Sequence, residues 1–249
     1  MGNLMKAEWY KLKKERSFRF LILLLMAVSV LFPLLEFDNG GPGLPPVDEY
    51  YLHNILGAHG NIVKLLPSIL AGFFITSEYS RGTMKSIASS GNSRLRIYIA
   101  KLMVFSFGAM IISLILPVFM TAVSAIFFGF QDMPEWSFYL QTTGLIMLYG
   151  AAFASIMAIF SILFTDSGKT IGFLLMFFIF VDYPLQLLAV KFPFFEPVVS
   201  HSIFKLVHNI SIVDELATGE IWTLVAVPVI SFLAFGAVGS VIFQRKEIK

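Results

Sequence analysis

No cysteine occurs in the 249 residues, so disulfides, thiolate zinc sites and thiol catalysis are excluded, and redox chemistry says nothing of the compartment. Charge is scarce as well: 14% of residues are charged, against 57% hydrophobic and 15% aromatic. Soluble domains carry about a quarter charged residues. So much apolar surface cannot be hidden in one water-facing core, and the chain must use lipid as its solvent. Catalytic signatures are missing too: no H-E-x-x-H, G-x-S-x-G, paired acidic metal motif or dinucleotide fingerprint stands in a usable setting. Ser167-Gly168-Lys169-Thr170 copies the end of a phosphate-binding P-loop, but Leu163 occupies the position of its first glycine. The tetrapeptide reads instead as a tight turn between two membrane helices, with Asp166 or Ser167 capping the second. The chain itself is expected to hold no ATP, metal or other cofactor and to bind no nucleic acid.

Six apolar runs are present, near 18–35, 55–76, 97–128, 138–164, 170–190 and 221–243. Each is long enough to cross a hydrocarbon core that needs about 20 helical residues. Their uninterrupted apolarity excludes barrel strands, which would alternate, and predicts an all-α membrane protein forming a single transmembrane domain. The third and fourth runs exceed the minimum, so tilt or a kink at Pro117 is expected. Residues 3–16 are short, basic and amphipathic, with Leu4, Met5, Trp9 and Leu12 close to one helical face. A helix lying along the membrane surface fits; the alternative is a basic flank that only sets topology. A secretory signal peptide is not expected, because no small-residue cleavage site follows the long first run.

Placing the amino terminus in the cytoplasm puts 15 of the 18 lysines and arginines on that side, leaving Lys64, Lys191 and Lys205. Ten acids, from Glu36 and Asp38 to Glu215 and Glu220, collect in the opposite loops. The positive-inside rule then predicts both termini in the cytoplasm of a multi-pass cell-membrane protein. Residues 36–54 read as an irregular outer loop because of G-G-P-G-L-P-P, and Trp136 as an interfacial anchor. Residues 191–220 form the longest outer segment yet are apolar at helical spacing, which fits short helices dipping into the outer leaflet.

Two charged residues fall deep inside spans. Lys64 lies 14 residues from Glu78 and Asp182 lies 12 from Thr170, giving depths of roughly 21 and 18 Å. They either meet as an intramembrane polar pair, or Lys64 snorkels outward while Asp182 bonds locally near Tyr183. All four histidines, His53, His59, His201 and His208, fall on the outer side. Without a third ligand at suitable spacing they read as interfacial groups rather than a metal site. Gly236 and Gly239 allow close helix packing, although not at G-x-x-x-G spacing.

A dense positive charge lies at 78–101, where Arg81, Lys85, Arg94 and Arg96 sit between spans two and three and Lys101 leads into the third. Glycine at 82 permits a bend, Thr83 can cap a following helix, and Met84 and Ile87 give that helix an apolar side. This is a stiff lever between two spans, or else a loop whose charges only hold it inside. The run Glu78-Tyr79-Ser80-Arg81-Gly82-Thr83, with Arg94 and Lys101 leading into the next span, resembles the E-x-x-x-G-T loop of type-2 ABC transporter permeases. The basic amphipathic start, six spans, long segment after span five and basic ending extend the resemblance over nearly the whole chain. The opening K-A-E-W-Y-K-L-K-K-E-R-S further resembles the lantibiotic-immunity and bacitracin-resistance subgroup. The resemblance implies an amino-terminal elbow helix, re-entrant helices in 191–220, and a coupling helix in 78–101 that docks on a separate cytoplasmic ATPase. The coupling residues would be Glu78, Arg81, Gly82, Thr83, Met84, Lys85, Ile87 and Arg94, with Asp166 and Lys169 in a second contact. It also implies two permeases, of like or related chains, working with two ATPase copies that carry the ATP and magnesium, and export of amphiphilic peptides or lipid-like compounds from the membrane. A non-transporting scaffold or sensor subunit is the other function class compatible with the residues.

Overall fold

The computed structural model describes residues 2–39, 44–89 and 91–247; residues 40–43 of the Gly- and Pro-rich run, one residue within 78–101 and Lys249 of the basic ending lie outside them. Every regular element among the described residues is helical. An amphipathic helix α1 (Gly2–Lys14) precedes α2 (Arg16–Asn39). Then come α3 (Val47–Ser80), a short α4 (Thr83–Ser89), α5 (Arg94–Phe128), α6 (Trp136–Leu163) and α7 (Ser167–Lys191). Two short helices, α8 (Glu196–Ser200) and α9 (Ile203–Leu206), and a 3₁₀ stretch (Val207–Glu215) lead to α10 (Thr218–Arg245). The six long helices α2, α3, α5, α6, α7 and α10 are each long and apolar enough to cross a membrane.

Helix α6 is the centre. Its membrane-length stretch is 83% buried, against 11% in each of α7 and α10, and it packs on α3, α5 and α10. The peripheral helices α2, α7 and α10 turn large apolar side chains such as Leu23, Met176, Ile230 and Leu233 outward, as lipid solvent requires. At Gly239 of α10 the close approach is to α5: a Cβ there would overlap the Tyr98 ring, which is 2% exposed. Gly239→Ala therefore forces a buried aromatic to move. It should cost about 1–3 kcal/mol, read as a lowered Tm in detergent, whereas Gly144→Ala, which meets no atom within 4 Å, serves as the neutral control.

Departures from regular helix have identifiable causes. Pro117 falls in a π turn (Leu116–Met120) of α5, and its carbonyl accepts from Thr121 Oγ1 at 2.5 Å and Tyr139 Oη at 3.3 Å. Polar side chains beside the proline are thus paired inside the protein. Helix α7 breaks at Val181, between Ser167–Phe180 and Asp182–Lys191. Pro184 has no N–H to return to the Phe180 carbonyl.

Two expectations need correction here. Residues 36–54 are not an irregular loop throughout: α2 runs to Asn39 and α3 begins at Val47. Pro46 is tolerated immediately before a helix, where no N–H is needed, and Asp48 and Glu49 favour the positive end of the new one. His59 is not interfacial but 2% exposed, its ring held between the Leu56 carbonyl and, at 3.1 Å, the Val207 carbonyl. That contact fastens the segment after α7 onto α3. Phe204 completes the attachment by packing on Phe153 and Phe178 at 5.6 and 6.3 Å.

Candidate functional site

Both described termini and the α3–α5 connection gather at one end of the bundle. The chain leaves α3 through a turn in which Arg81 N–H donates to Ser77 O (3.0 Å) and Gly82 N–H to Tyr79 O (3.1 Å). Gly82 has φ +71°, a left-handed conformation that a side chain resists, so the glycine sets the angle at which α4 departs. Thr83 does not cap forward as expected; it opens α4, and its hydroxyl reaches back to the Glu78 carbonyl at 3.3 Å. Met84 is buried at 1% exposure and Ile87 is half-buried, while Arg81 and Lys85 are exposed. The short helix thus has one face anchored in the bundle and one basic face open.

Beneath it lies a group of four charges, three of them buried and the fourth, Lys11, partly exposed. Lys101 Nζ is 3.0 Å from Glu8 Oε1 and also pairs with Glu78, and Lys11 Nζ is 3.0 Å from Glu8 Oε2 and likewise pairs with Glu78. Glu8, Glu78 and Lys101 are each 2–5% exposed. Two carboxylates and two ammoniums sum to zero, which is the condition under which charges survive burial. The Phe74 ring lies below, 4.9 Å from Lys11 Nζ and 5.8 Å from Lys101 Nζ. Burial raises the Glu8 pKa, but the charges of Lys101 and Lys11 outweigh it and leave the carboxyl below its ordinary value. The quartet ties α1 to the ends of α3 and α5. Leu12 of α1 reinforces the tie by seating against Gly108, and Trp9 by meeting Phe107 edge-on at 4.9 Å.

Lys101 was counted among the loop cations, but it belongs to this interior group. Arg94, expected to face a partner, is turned inward as well: its Nη1 donates to the Gln244 and Lys246 carbonyls at 2.8 Å each. It thereby satisfies acceptors left over at the end of α10. Lys246 in turn donates to the Ile162 carbonyl at the end of α6 and sits 4.0 Å from the Tyr79 ring centroid. At the α6–α7 turn, Asp166 Oδ1 accepts from the Lys169 N–H at 2.8 Å and caps α7. The side chains of Asp166 and Lys169 are exposed.

Deeper in the bundle, Lys64 Nζ lies 2.6 Å from Asp182 Oδ2. Lys64 is wholly buried, so it does not snorkel. The pair joins α3 to the break in α7.

A family model described as ABC-2 family transporter protein matches residues 4–183, a span that contains the quartet, α4 and the Lys64–Asp182 pair. The chain belongs to that family. A comparison with curated proteins finds no match. As an ABC-2 permease it is a multi-pass membrane subunit of an ABC transporter, and membership implies an ABC ATPase partner. Among the described residues of the permease, no group of three or more His, Asp or Glu side chains could hold a metal ion.

Sequence reasoning placed Lys11 and Lys246 on this side only as topogenic charges and missed their contacts, and it missed Glu8 altogether. Glu8 had left a signal: Leu4, Glu8 and Leu12 follow one another at i, i+4 spacing, which puts an acid in the middle of an apolar face.

Proposed function

We propose that the permease is the membrane subunit of an ATP-driven exporter moving amphiphilic peptide antibiotics or lipid-like compounds out of the membrane, of the lantibiotic-immunity and bacitracin-resistance kind. In this reading two permeases, of like or related chains, work with two copies of an ATPase that binds the ATP and magnesium. The end bearing both termini faces the cytoplasm, a placement supported by the 15 cations assigned to that side. The observation that carries the reading is the two-sided α4: basic and open outward, with Met84 buried and the Glu78 carboxylate locked into the quartet directly behind it. A push on such a helix is passed to α1, α3 and α5 together. Arg81 and Lys85 then act at the contact with the ATPase, with Asp166 and Lys169 at the adjoining turn. Glu78, Gly82, Thr83, Met84 and Ile87 fix the lever's position, and Arg94 braces its far side.

The test is ATPase activity of the permease co-reconstituted with its ATPase, with and without a lantibiotic or bacitracin. Wild type should show peptide-stimulated hydrolysis and peptide efflux. Met84→Ala should insert normally and still bind the ATPase, but lose coupling equivalent to about 1–3 kcal/mol, about 5- to 150-fold in stimulation. Stimulation untouched by Met84→Ala would sink the lever. Tight ATPase binding with neither stimulation nor efflux would identify a scaffold or sensor instead.

A further inference from the structure

A second polar site lies away from the quartet, where the broken end of α7 meets α8, α9 and the 3₁₀ stretch. Here a cavity of about 280 Å³ is lined by Asp182, Gln186, Ser202, Lys205 and His208 together with apolar side chains. It is the segment after α7 folding back onto the bundle, fixed by His59 and Phe204, that closes this space.

Lys64 neutralises Asp182 through Oδ2 alone. Oδ1 is buried with no hydrogen-bond partner among the described residues, an acceptor that costs free energy until something donates to it. On the same cavity Lys205 contributes a cation with no carboxylate in salt-bridge range among the described residues. Burial and then the Lys64 charge lower the His208 pKa; Asp182 opposes this and Lys205 adds to it. The ring is therefore neutral near pH 7 and offers one N–H donor. The lining thus asks for two things at once: an anionic acceptor against Lys205 and His208, and a donor against Asp182 Oδ1. The surroundings are apolar and outward-facing, with Leu187 45%, Val190 85% and Val198 66% exposed, a surface suited to acyl chains.

We propose that this cavity binds a phospholipid headgroup. The phosphodiester oxygens accept from Lys205 and His208, and an ammonium or hydroxyl beyond the phosphate donates to Asp182 Oδ1. Gln186 and Ser202 complete the shell, and the acyl chains run along α7 and α8. The site stands apart from the transport reading, because a bound lipid serves equally as cargo or as a resident wedge between α7 and α8.

The full chain, purified in maltoside detergent, tests this by calorimetric titration with three probes: dihexanoyl phosphatidylethanolamine, dihexanoylglycerol and inorganic phosphate. The phospholipid should bind and the other two should not. Lys205→Ala and His208→Ala leave the Lys64–Asp182 pair intact, and each should weaken phospholipid binding about tenfold, the loss of one charge-assisted or buried hydrogen bond. Phosphate binding as tightly as the phospholipid would make this a soluble-anion site and overturn the proposal. So would phospholipid binding that neither substitution weakens, or dihexanoylglycerol binding as well as the phospholipid. No ATPase takes part, so failure here leaves the coupling result unaffected, and failure of coupling leaves this one.

Discussion

Replacing Lys101 by methionine should cost the folded permease about 3–5 kcal/mol, the expected penalty for removing one partner of a buried ionic group. Methionine keeps the length and packing of the lysine stem, so the change is mainly electrical: Glu8 and Glu78 would be left sharing Lys11, with one uncompensated negative charge where the present sum is zero. The carboxylates would separate, and α1 would come away from α3 and α5. In detergent this reads as a lower Tm and as faster tryptic cleavage at Lys13 and Lys14, which lie on the exposed side of α1. Adding Glu8→Gln to Lys101→Met restores neutrality and should recover about 0.5–3 kcal/mol of the loss, the usual range of coupling between touching residues. A Lys101→Met protein with unchanged Tm and unchanged proteolysis would show that the quartet holds nothing together.

The quartet also marks where sequence reasoning stopped. The six long helices were legible because apolar runs of membrane length have only one way to satisfy their backbone in lipid. The α4 turn was legible because glycine at 82 does locally what glycine does anywhere. The break at Val181 could have been found from Pro184 by the same local rule. Partnership is different, since the loop cations Lys101 and Arg94 look alike in one dimension. Only the approach of α1 makes the first an interior charge, and only the end of α10 makes the second a clamp on carbonyls. Their roles depend on elements about 90 and 150 positions away in the chain, which no local periodicity encodes. His59 was misread for the same reason: its buried setting is made by Val207, 148 residues later.

Together these contacts make the end with both termini a unit. The quartet joins α1, α3 and α5; Arg94 joins α5 to the end of α10; Lys246 joins that end to α6. Every one uses a charged side chain to meet a charge or a helix-end carbonyl, and within the quartet, where Glu8, Glu78 and Lys101 are buried, desolvation makes each bond matter more than at a wet surface. If α4 acts as the proposed lever, its displacement reaches four of the long helices at their ends, and α7 by a different route, through Lys64 in the middle of α3.

That route predicts the second large effect. Exchanging only one member of the Lys64–Asp182 pair, by Lys64→Asp or Asp182→Lys, places two like charges together inside the bundle. Each single change should cost about 3–5 kcal/mol, seen as loss of monodisperse protein on size-exclusion chromatography and a lower Tm. Lys64→Asp combined with Asp182→Lys returns opposite charges to the two helices and should recover much of that loss. Recovery will be incomplete, because the site is asymmetric: Lys64 has a side chain 1% exposed and Asp182 one 31% exposed, so the exchange puts the shorter side chain in the deeper position. The direction of the test is clear from that asymmetry. If the pair is what holds the broken end of α7 against α3, the doubly exchanged protein must outperform both single variants. If it does not outperform both, each residue answers to its own surroundings, and α7 is held by the Phe153, Phe178 and Phe204 cluster alone.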